Sequence, residues 1–209
     1  WAEGLGFEVK NVLDEGETDL LLYVGCTPAY DPRIQPVTRA LANVFQRVGL
    51  DFGTMGMDEF CCANEIKRIG ESEGFESMVE EYHEMFKEFE AQRMVTVSPH
   101  CFNTFKNEYG EMPFQVQHYT QLLTELLDQG KLALGNEVRK RVTYHDPCFL
   151  GKHNDIYDEP RYILQSIPGI EFEDLDRSRE RSVCCEGGGG RMWAEGTNEK
   201  ERLSHQRVR

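Results

Sequence analysis

With 209 residues, 39% of them hydrophobic and including 12 Phe and 8 Tyr, the chain is long and apolar enough to bury a real core, as one large unit or two small ones. Its formal net charge of −14, with Lys and Arg dispersed, argues against nucleic acid, which needs a clustered basic face, and fits solubility or a protein partner with a basic patch. No apolar run approaches the ~20 residues that span a bilayer, and no secretory signal is present, so the expected location is cytoplasmic.

In chain order, Asp19-Leu-Leu-Leu-Tyr-Val-Gly-Cys26 is a short apolar run closed by Gly and Cys, as in a buried parallel strand. Pro28, Pro32 and Pro36 mark a loop, and Pro36 suits a helix start. Val37, Ala40, Leu41, Val44, Phe45 and Val48 recur with helical period up to Gly49, and a longer helix is predicted around Phe75, Met78, Val79, Tyr82, Met85, Phe86 and Phe89. The acidic positions between Glu80 and Glu90 read as a solvated helix face, with His83 solvated on it. Met94–Val97 is the next strand, delivering Ser98-Pro-His-Cys101, and Tyr119–Asp128 is a third helix closed by Gly130.

The plan then repeats. Arg141 to Cys148 is a strand running into a cysteine loop, a helix follows from about Glu159 to Ser166, and Pro168-Gly169 turns the chain into Ile170-Glu-Phe172. Strands alternating with helices predict an α/β fold of two pseudo-repeated halves, 1–134 and 135–209. Each half has a short parallel sheet flanked by helices, with cysteine loops at the strand C-terminal ends, where sites form in such sheets. The chain starts at Trp1 and stops at Arg209 inside a polar helix, so a fragment of a longer polypeptide is expected.

The seven cysteines obey this repeat. Cys26 lies 35 positions before the doublet Cys61-Cys62, Cys148 lies 36 before Cys184-Cys185, and Cys101 follows the first doublet by 39. An odd number and two adjacent pairs fit disulfides poorly. Thiolates committed to metal in a reducing compartment are the better reading. Two neighbouring thiolates can reach different irons of one cluster but crowd a single zinc ion, so an iron–sulfur site ranks ahead of zinc, with ordinary buried thiols as the remainder. Glu186 is followed by Gly187, Gly188, Gly189 and Gly190, and four glycines imply bare backbone near a cofactor or substrate, or else a flexible loop. No Lys-Ser or Lys-Thr follows them, which excludes a Walker-type phosphate loop. His100 and His145 stand near Cys101 and Cys148 as ligands or proton donors, against the favoured alternative of histidines bonded to backbone. His118 and His153 are weaker candidates, and no catalytic side chain is assigned.

These segments resemble the cysteine-rich iron–sulfur proteins typified by the B and D subunits of heterodisulfide reductase. The resemblance rests on Cys26, Cys61-Cys62-Ala63, Ser98-Pro-His-Cys101, Cys148 and Cys184-Cys185-Glu186. Tyr144 to Asn154, Ser98 to Tyr109 and Gly187–Trp193 carry it further, over nearly the whole chain. It implies an iron–sulfur oxidoreductase subunit that reduces a disulfide or related sulfur substrate at a noncubane [4Fe–4S] centre. Cys148, Cys184 and Cys185 would be its ligands, with Gly187 and Gly188 beside it. Cys26, Cys61, Cys62 and Cys101 would hold a conventional [4Fe–4S] cluster or zinc. Implied partners are a ferredoxin-like segment, a flavoprotein, a hydrogenase or a membrane cytochrome or quinone module, at the cytoplasmic face of a membrane complex. The departures are Ser98 in place of the first Cys of Cys-x-x-Cys, and Ala63 and Glu186 in place of the glycine after each doublet. A final Cys-x-x-Cys is expected beyond Arg209. The alternatives are an electron relay without disulfide chemistry and a zinc-stabilised binding scaffold.

Overall fold

The computed structural model of the chain describes residues 1–190 and 203–207. Its elements are β1 (Lys10–Asn11), α1 (Val12–Glu15), β2 (Glu17–Tyr23), α2 (Cys26–Tyr30), α3 (Gln35–Arg47), β3 (Phe52–Thr54), α4 (Asn64–Arg68) and α5 (Ser72–Met85). There follow β4 (Glu90–Thr96), α6 (Pro99–Asn107), β5 (Gln115–His118), α7 (Tyr119–Asp128), β6 (Lys140–Val142), α8 (Asp158–Ser166), β7 (Ile170–Phe172) and α9 (Leu203–Arg207). The α/β expectation holds. A five-stranded parallel sheet runs in the order β1-β3-β2-β4-β5, and β6 pairs with β7 in a separate parallel pair.

The run at β2 is continuous because both of its faces are covered. Leu20, Leu22 and Val24 meet Val95 and Val97 of the neighbouring strand region, and Leu41, Phe45, Leu122 and Leu126 of α3 and α7 cover this aliphatic face. Leu21, Tyr23 and Met94 point the other way, into an aromatic layer of Phe75, Tyr82, Phe86, Phe105 and Tyr109 supplied by α5, α6 and their flanks. β2 and β4 pair from Glu17 beside Glu90 to Tyr23 beside Thr96. From β2 the chain leaves over the aliphatic face towards β3, and from β4 over the aromatic face towards β5. A crevice therefore opens at the carboxyl ends of these two central strands, the usual position of a site in such a sheet.

Several elements differ from the sequence reading. The proline loop begins with a short helix, α2, because Pro28 sits in its first turn, where a missing N–H is harmless. The long helix stops at Met85, yet Phe86 and Phe89 beyond it remain buried. His83 is half-buried and bonds the Tyr109 carbonyl at 2.9 Å, so it is not simply solvated. The strand read as Met94–Val97 begins at Glu90, and β1, β3 and β5, of 2, 3 and 4 residues, are too short to leave a period. The halves share packing: Phe102 of α6 lies in one apolar cluster with Leu150 and Ile156. Among the described residues no helix is long and apolar enough to cross a membrane.

Candidate metal centre

The first thiol set forms in the β2/β4 crevice. Cys26 opens α2 just past β2, and Cys101 lies in the first turn of α6 just past β4. Gly25 between Val24 and Cys26 has φ +81°, and a Cβ there would meet the Cys101 Sγ at 3.3 Å. The doublet loop brings Cys62 Sγ to 3.3 Å from Cys101 Sγ, while Cys61 bonds both Cys62 and Cys26. All four predicted thiols of this half thus converge. Hydrogen bonding to its neighbour Cys61, then burial, pushes the Cys26 thiol up, and hydrogen bonding to Cys101 with burial does the same to Cys62. Thiols held this closely resist ionising together unless a cation compensates them.

Ser98, where the resembled motif has Cys, instead caps α6. Its Oγ accepts the His100 N–H at 3.2 Å, and Pro99 occupies the first helical position. The doublet loop is braced by tyrosines the sequence reading did not single out. Tyr23 Oη donates to the Phe60 carbonyl at 2.7 Å, Tyr82 Oη accepts from the Phe60 N–H at 3.1 Å and donates to its carbonyl, and Tyr109 Oη donates to the Cys62 carbonyl at 3.3 Å. Glu59 was also missed. Its carboxylate accepts the Val24 and Gly25 N–H groups at 3.0 and 2.7 Å, joining the doublet loop to the Cys26 loop. Burial pushes this carboxyl up to about 7, although the two amides favour its charged form. The available clue was a Tyr inside an otherwise aliphatic strand, immediately before a Val-Gly-Cys turn.

The second set is Cys148, Cys184 and Cys185. Burial raises the Cys148 thiol, and Cys184 and Cys185, within electrostatic reach of it, raise it further. Cys148 is half-buried, and Cys184 and Cys185 are exposed. The two doublets share one local geometry. Cys184 Sγ accepts the Glu186 N–H at 3.3 Å and Cys185 Sγ the Gly187 N–H at 3.4 Å, as Cys61 and Cys62 are bonded by the amides of Ala63 and Asn64. Such N–H···S bonds tune metal-bound sulfur. Asp146, two residues before Cys148, is locked by buried Arg161 at 2.6 and 2.8 Å and by the Arg179 N–H at 2.7 Å. Arg161 also binds Asp174, an anchor that sequence reasoning missed because its members are scattered over three segments.

Gly187 lies beside the thiols, whereas Gly188 faces the first half: a Cβ on it would come within 2.3 Å of His100 Nε2. The His100 ring packs on Phe149 at 4.8 Å, and exposed His153 stacks on Phe149 at 4.7 Å. His118 is a core residue, its Nε2–H donating to the Val97 carbonyl at 3.2 Å and its Nδ1 accepting from Thr120 at 2.8 Å, and burial pushes its pKa down to about 3. It has no place in either thiol set. His145 is half-buried, and its charge bears on Asp146. Residues 191–193 of the Gly187–Trp193 motif lie outside the described residues.

All seven cysteines are free thiols. Among the described residues no three His, Cys, Asp or Glu side chains are arranged to close on a single ion. The donor chemistry is nevertheless that of a soft, polynuclear centre: two sets of thiols, each fed by separate loops and each with amides aimed at sulfur. A cysteine-rich domain model, CCG, matches residues 20–106 and 142–209. The chain belongs to the cysteine-rich domain family.

Among its curated relatives in sequence, an EtfAB:quinone oxidoreductase of Syntrophomonas wolfei is 36% identical over 200 residues, covering 93% of this chain and 28% of that protein. A probable iron-sulfur-binding oxidoreductase, FadF, of Bacillus subtilis is 37% identical over 190 residues, 90% of this chain and 27% of that one. The D subunit of the dihydromethanophenazine:CoB–CoM heterodisulfide reductase of Methanosarcina mazei is 33% identical over 194 residues, 89% of this chain and 47% of that protein. The chain thus spans less than half the length of each. No solved structure is significantly similar to it. Within the cysteine-rich domain family, each matched segment contains a lone cysteine followed by a doublet, Cys26 with Cys61-Cys62 and Cys148 with Cys184-Cys185, and the first also contains Cys101.

Proposed function

We propose that this cysteine-rich domain is the cluster-bearing part of an iron–sulfur oxidoreductase that works within a larger electron-transfer complex. One observation carries the reading: both thiol sets are assembled beside α6, the first partly enclosed, with Cys61 half-buried and Cys26 exposed at its mouth, and the second open. Cys62 and Cys101 are buried under the tyrosine braces, whereas Cys184 and Cys185 are exposed. An enclosed set suits electron passage, and an open one suits contact with a substrate. In this reading Cys26, Cys61, Cys62 and Cys101 hold a [4Fe–4S] cluster, and Cys148, Cys184 and Cys185 hold a second, noncubane one. Such centres, when bound, supply single electrons at low reorganisation cost and a sulfur-binding iron site.

The residues of the chain do the rest. Amides of Ala63, Asn64, Glu186 and Gly187 stabilise anionic sulfur, Tyr23, Tyr82 and Tyr109 fix the doublet loop, and the aromatic layer excludes water from Cys62 and Cys101. At the open set a disulfide would take up two electrons and two protons to give two thiols. The domain would comprise repeats 1–134 and 135–209, lie in the cytoplasm and draw electrons from a flavoprotein, ferredoxin-like or hydrogenase partner.

A relay between such a donor and a quinone module, without disulfide chemistry, is the second reading. It is favoured by Glu186, which directly follows the open doublet and adds a negative charge to the loop of an already anionic centre. Zinc in the first set with no redox role is the third. Iron, acid-labile sulfide and zinc are to be measured on the full-length protein purified without oxygen. Iron with matching sulfide supports the oxidoreductase, and zinc alone or no metal overturns it. Turnover of a small disulfide with a reduced viologen then separates reductase from relay.

A further inference from the structure

The loop carrying Cys184 and Cys185 has little structure of its own to rest on. Among the described residues its half contributes a sheet of only two strands of 3 residues each, β6 and β7. Its own half holds the start of the loop, where Lys152 Nζ donates to the Ser182 carbonyl at 2.8 Å, and beyond the doublet what holds it is a surface of the other half. Glu65, in the helix directly after the first doublet, accepts the Gly189 N–H at 3.3 Å and the Gly190 N–H as well, and its carboxylate is steadied by Asn64 Nδ2 at 2.8 Å. Gly188 presses on His100, which adjoins Cys101, and a Cβ at Gly190 would strike Ile69 Cγ2 at 2.6 Å. The other loop of the second set comes to the same place. Phe149, next to Cys148, packs on His100 at 4.8 Å, and the Arg68 guanidinium lies 5.0 Å from its ring centre. Asn154 clamps the base of that loop, its Nδ2 donating to Asn103 Oδ1 of α6 at 3.0 Å and to the Phe149 carbonyl at 2.6 Å.

Glu65, Arg68 and His100 thus lie within a few residues of the first thiols, and both loops of the second set are seated on them. This accounts for three of the four glycines: Gly188 and Gly190 must pass bare backbone over His100 and Ile69, and Gly189 and Gly190 take positive φ as their N–H groups meet Glu65. We propose that the second thiol set is templated by the first half, with Glu65 as the positioning residue that holds the Cys184–Gly190 loop, so that filling of the second site depends on an ordered first site. Glu65 binds no metal in this scheme. Ordering Cys61–Arg68 around the first site fixes the carboxylate, and the fixed carboxylate selects one conformation of the glycine run from many. The filling order rests on the iron–sulfur reading above, whereas the clamp itself does not.

The test uses the full-length protein, wild type and Glu65→Gln, with Glu65→Asp as the conservative rescue. Gln keeps the size but replaces a charge-assisted acceptor by a neutral one. In amide hydrogen exchange, Glu65→Gln is expected to speed exchange at Gly189 and Gly190 about tenfold, with the amides of β2 and β4 unchanged. Partial recovery is expected in Glu65→Asp. Reconstitution with iron and sulfide is followed by iron content and electron paramagnetic resonance, and the variant is expected to keep the first site's signal and lose most of the second's. Unchanged exchange at Gly189 and Gly190 overturns the clamp whether or not iron binds. Faster exchange with both signals retained overturns the templating. A wild type that takes up no iron defeats the iron–sulfur reading and the filling order together, and the exchange result still decides the clamp.

Discussion

Ala63 and Glu186, each directly after a cysteine doublet, hold the same left-handed backbone, with φ of 60° and 55°. At both places the turn brings the amide two residues on back to each doublet thiol. That turn is why the resembled motif has glycine here: a β-carbon in this conformation costs about 1 kcal/mol or more. Ala63→Gly is therefore expected to stabilise the protein by up to ~1 kcal/mol in urea unfolding, the greater freedom of glycine in the unfolded chain offsetting part of the relief. Ala63→Val should lose more than ~1 kcal/mol, since branching at Cβ tolerates this region least. A destabilised Ala63→Gly would show that the methyl group, buried in the aromatic core, outweighs the backbone strain.

Glu186 differs from Ala63 in having a further role, because its carboxylate accepts from the Ser204 N–H and Oγ at 3.3 and 3.4 Å. Glu186→Gly should relax the backbone but release α9. The expected stability change is correspondingly small, within about 0.5 kcal/mol, as two effects of similar size oppose each other. Limited proteolysis checks this directly: cleavage near residues 203–207 should accelerate in Glu186→Gly and remain unchanged in Ala63→Gly.

How much of this was legible in the sequence depends on range. The strand at Leu20–Val24, the α3 period and the boundaries Tyr119–Asp128 of α7 follow from local pattern, and α7 is found where the sequence predicts it. Cysteine spacing showed the repeat of a lone cysteine and a doublet, and the family resemblance supplied the two sets. The braces were not legible, because Tyr82 reaches Phe60 and Arg161 reaches Asp146 and Asp174 through contacts that no periodicity encodes. His118 misled for the opposite reason: a histidine near cysteine motifs in the sequence is turned by β5 onto the α6 face of the sheet, where its ring meets Phe102 and its Nε2–H reaches the Val97 carbonyl.

The tyrosine braces predict an order of damage. Tyr82 serves both the N–H and the carbonyl of Phe60 and stacks on its ring at 3.8 Å, whereas Tyr23 serves only the carbonyl. Tyr82→Phe leaves the Phe60 N–H without this acceptor, a loss of about 1–3 kcal/mol. Tyr23→Phe leaves a carbonyl still bonded by Tyr82 and should lose about 1 kcal/mol or less. Thermal unfolding of the two variants ranks them. Equal losses would mean that the doublet loop does not depend on the second bond from Tyr82.

His118 sets a pH dependence of known sign. Its folded pKa is depressed to about 3 from 6.5, so the folded state binds the proton less readily than the unfolded one. The stability this residue contributes is complete above about pH 6.5 and is lost as pH falls towards 3. Between pH 7 and pH 5 the loss attributable to it is about 2 kcal/mol. In His118→Gln, whose amide N–H can still donate to Val97, the drop in unfolding free energy from urea titration between those two pH values should shrink by that amount. A wild type and variant that fall in parallel would assign the acid lability to other groups.

Arg161 ties the second cysteine loop to its own half. Its side chain and that of Asp146 are 5% and 1% exposed, while Asp174 is 37% exposed. Removing the cation by Arg161→Met leaves Asp146 buried with only the Arg179 N–H as its remaining donor among these contacts, a loss of about 3–5 kcal/mol. Asp174→Asn, at the solvated end of the triad, should lose about 1 kcal/mol or less. The two variants also separate anchoring from templating. Arg161→Met should free the Tyr144–Cys148 segment, read as faster exchange there, without changing the Gly189 and Gly190 amides that Glu65 holds. If exchange at Gly189 and Gly190 rises as well, the two loops of the second set are one cooperative unit, with the clamp at Glu65 and the anchor at Arg161 as its two ends.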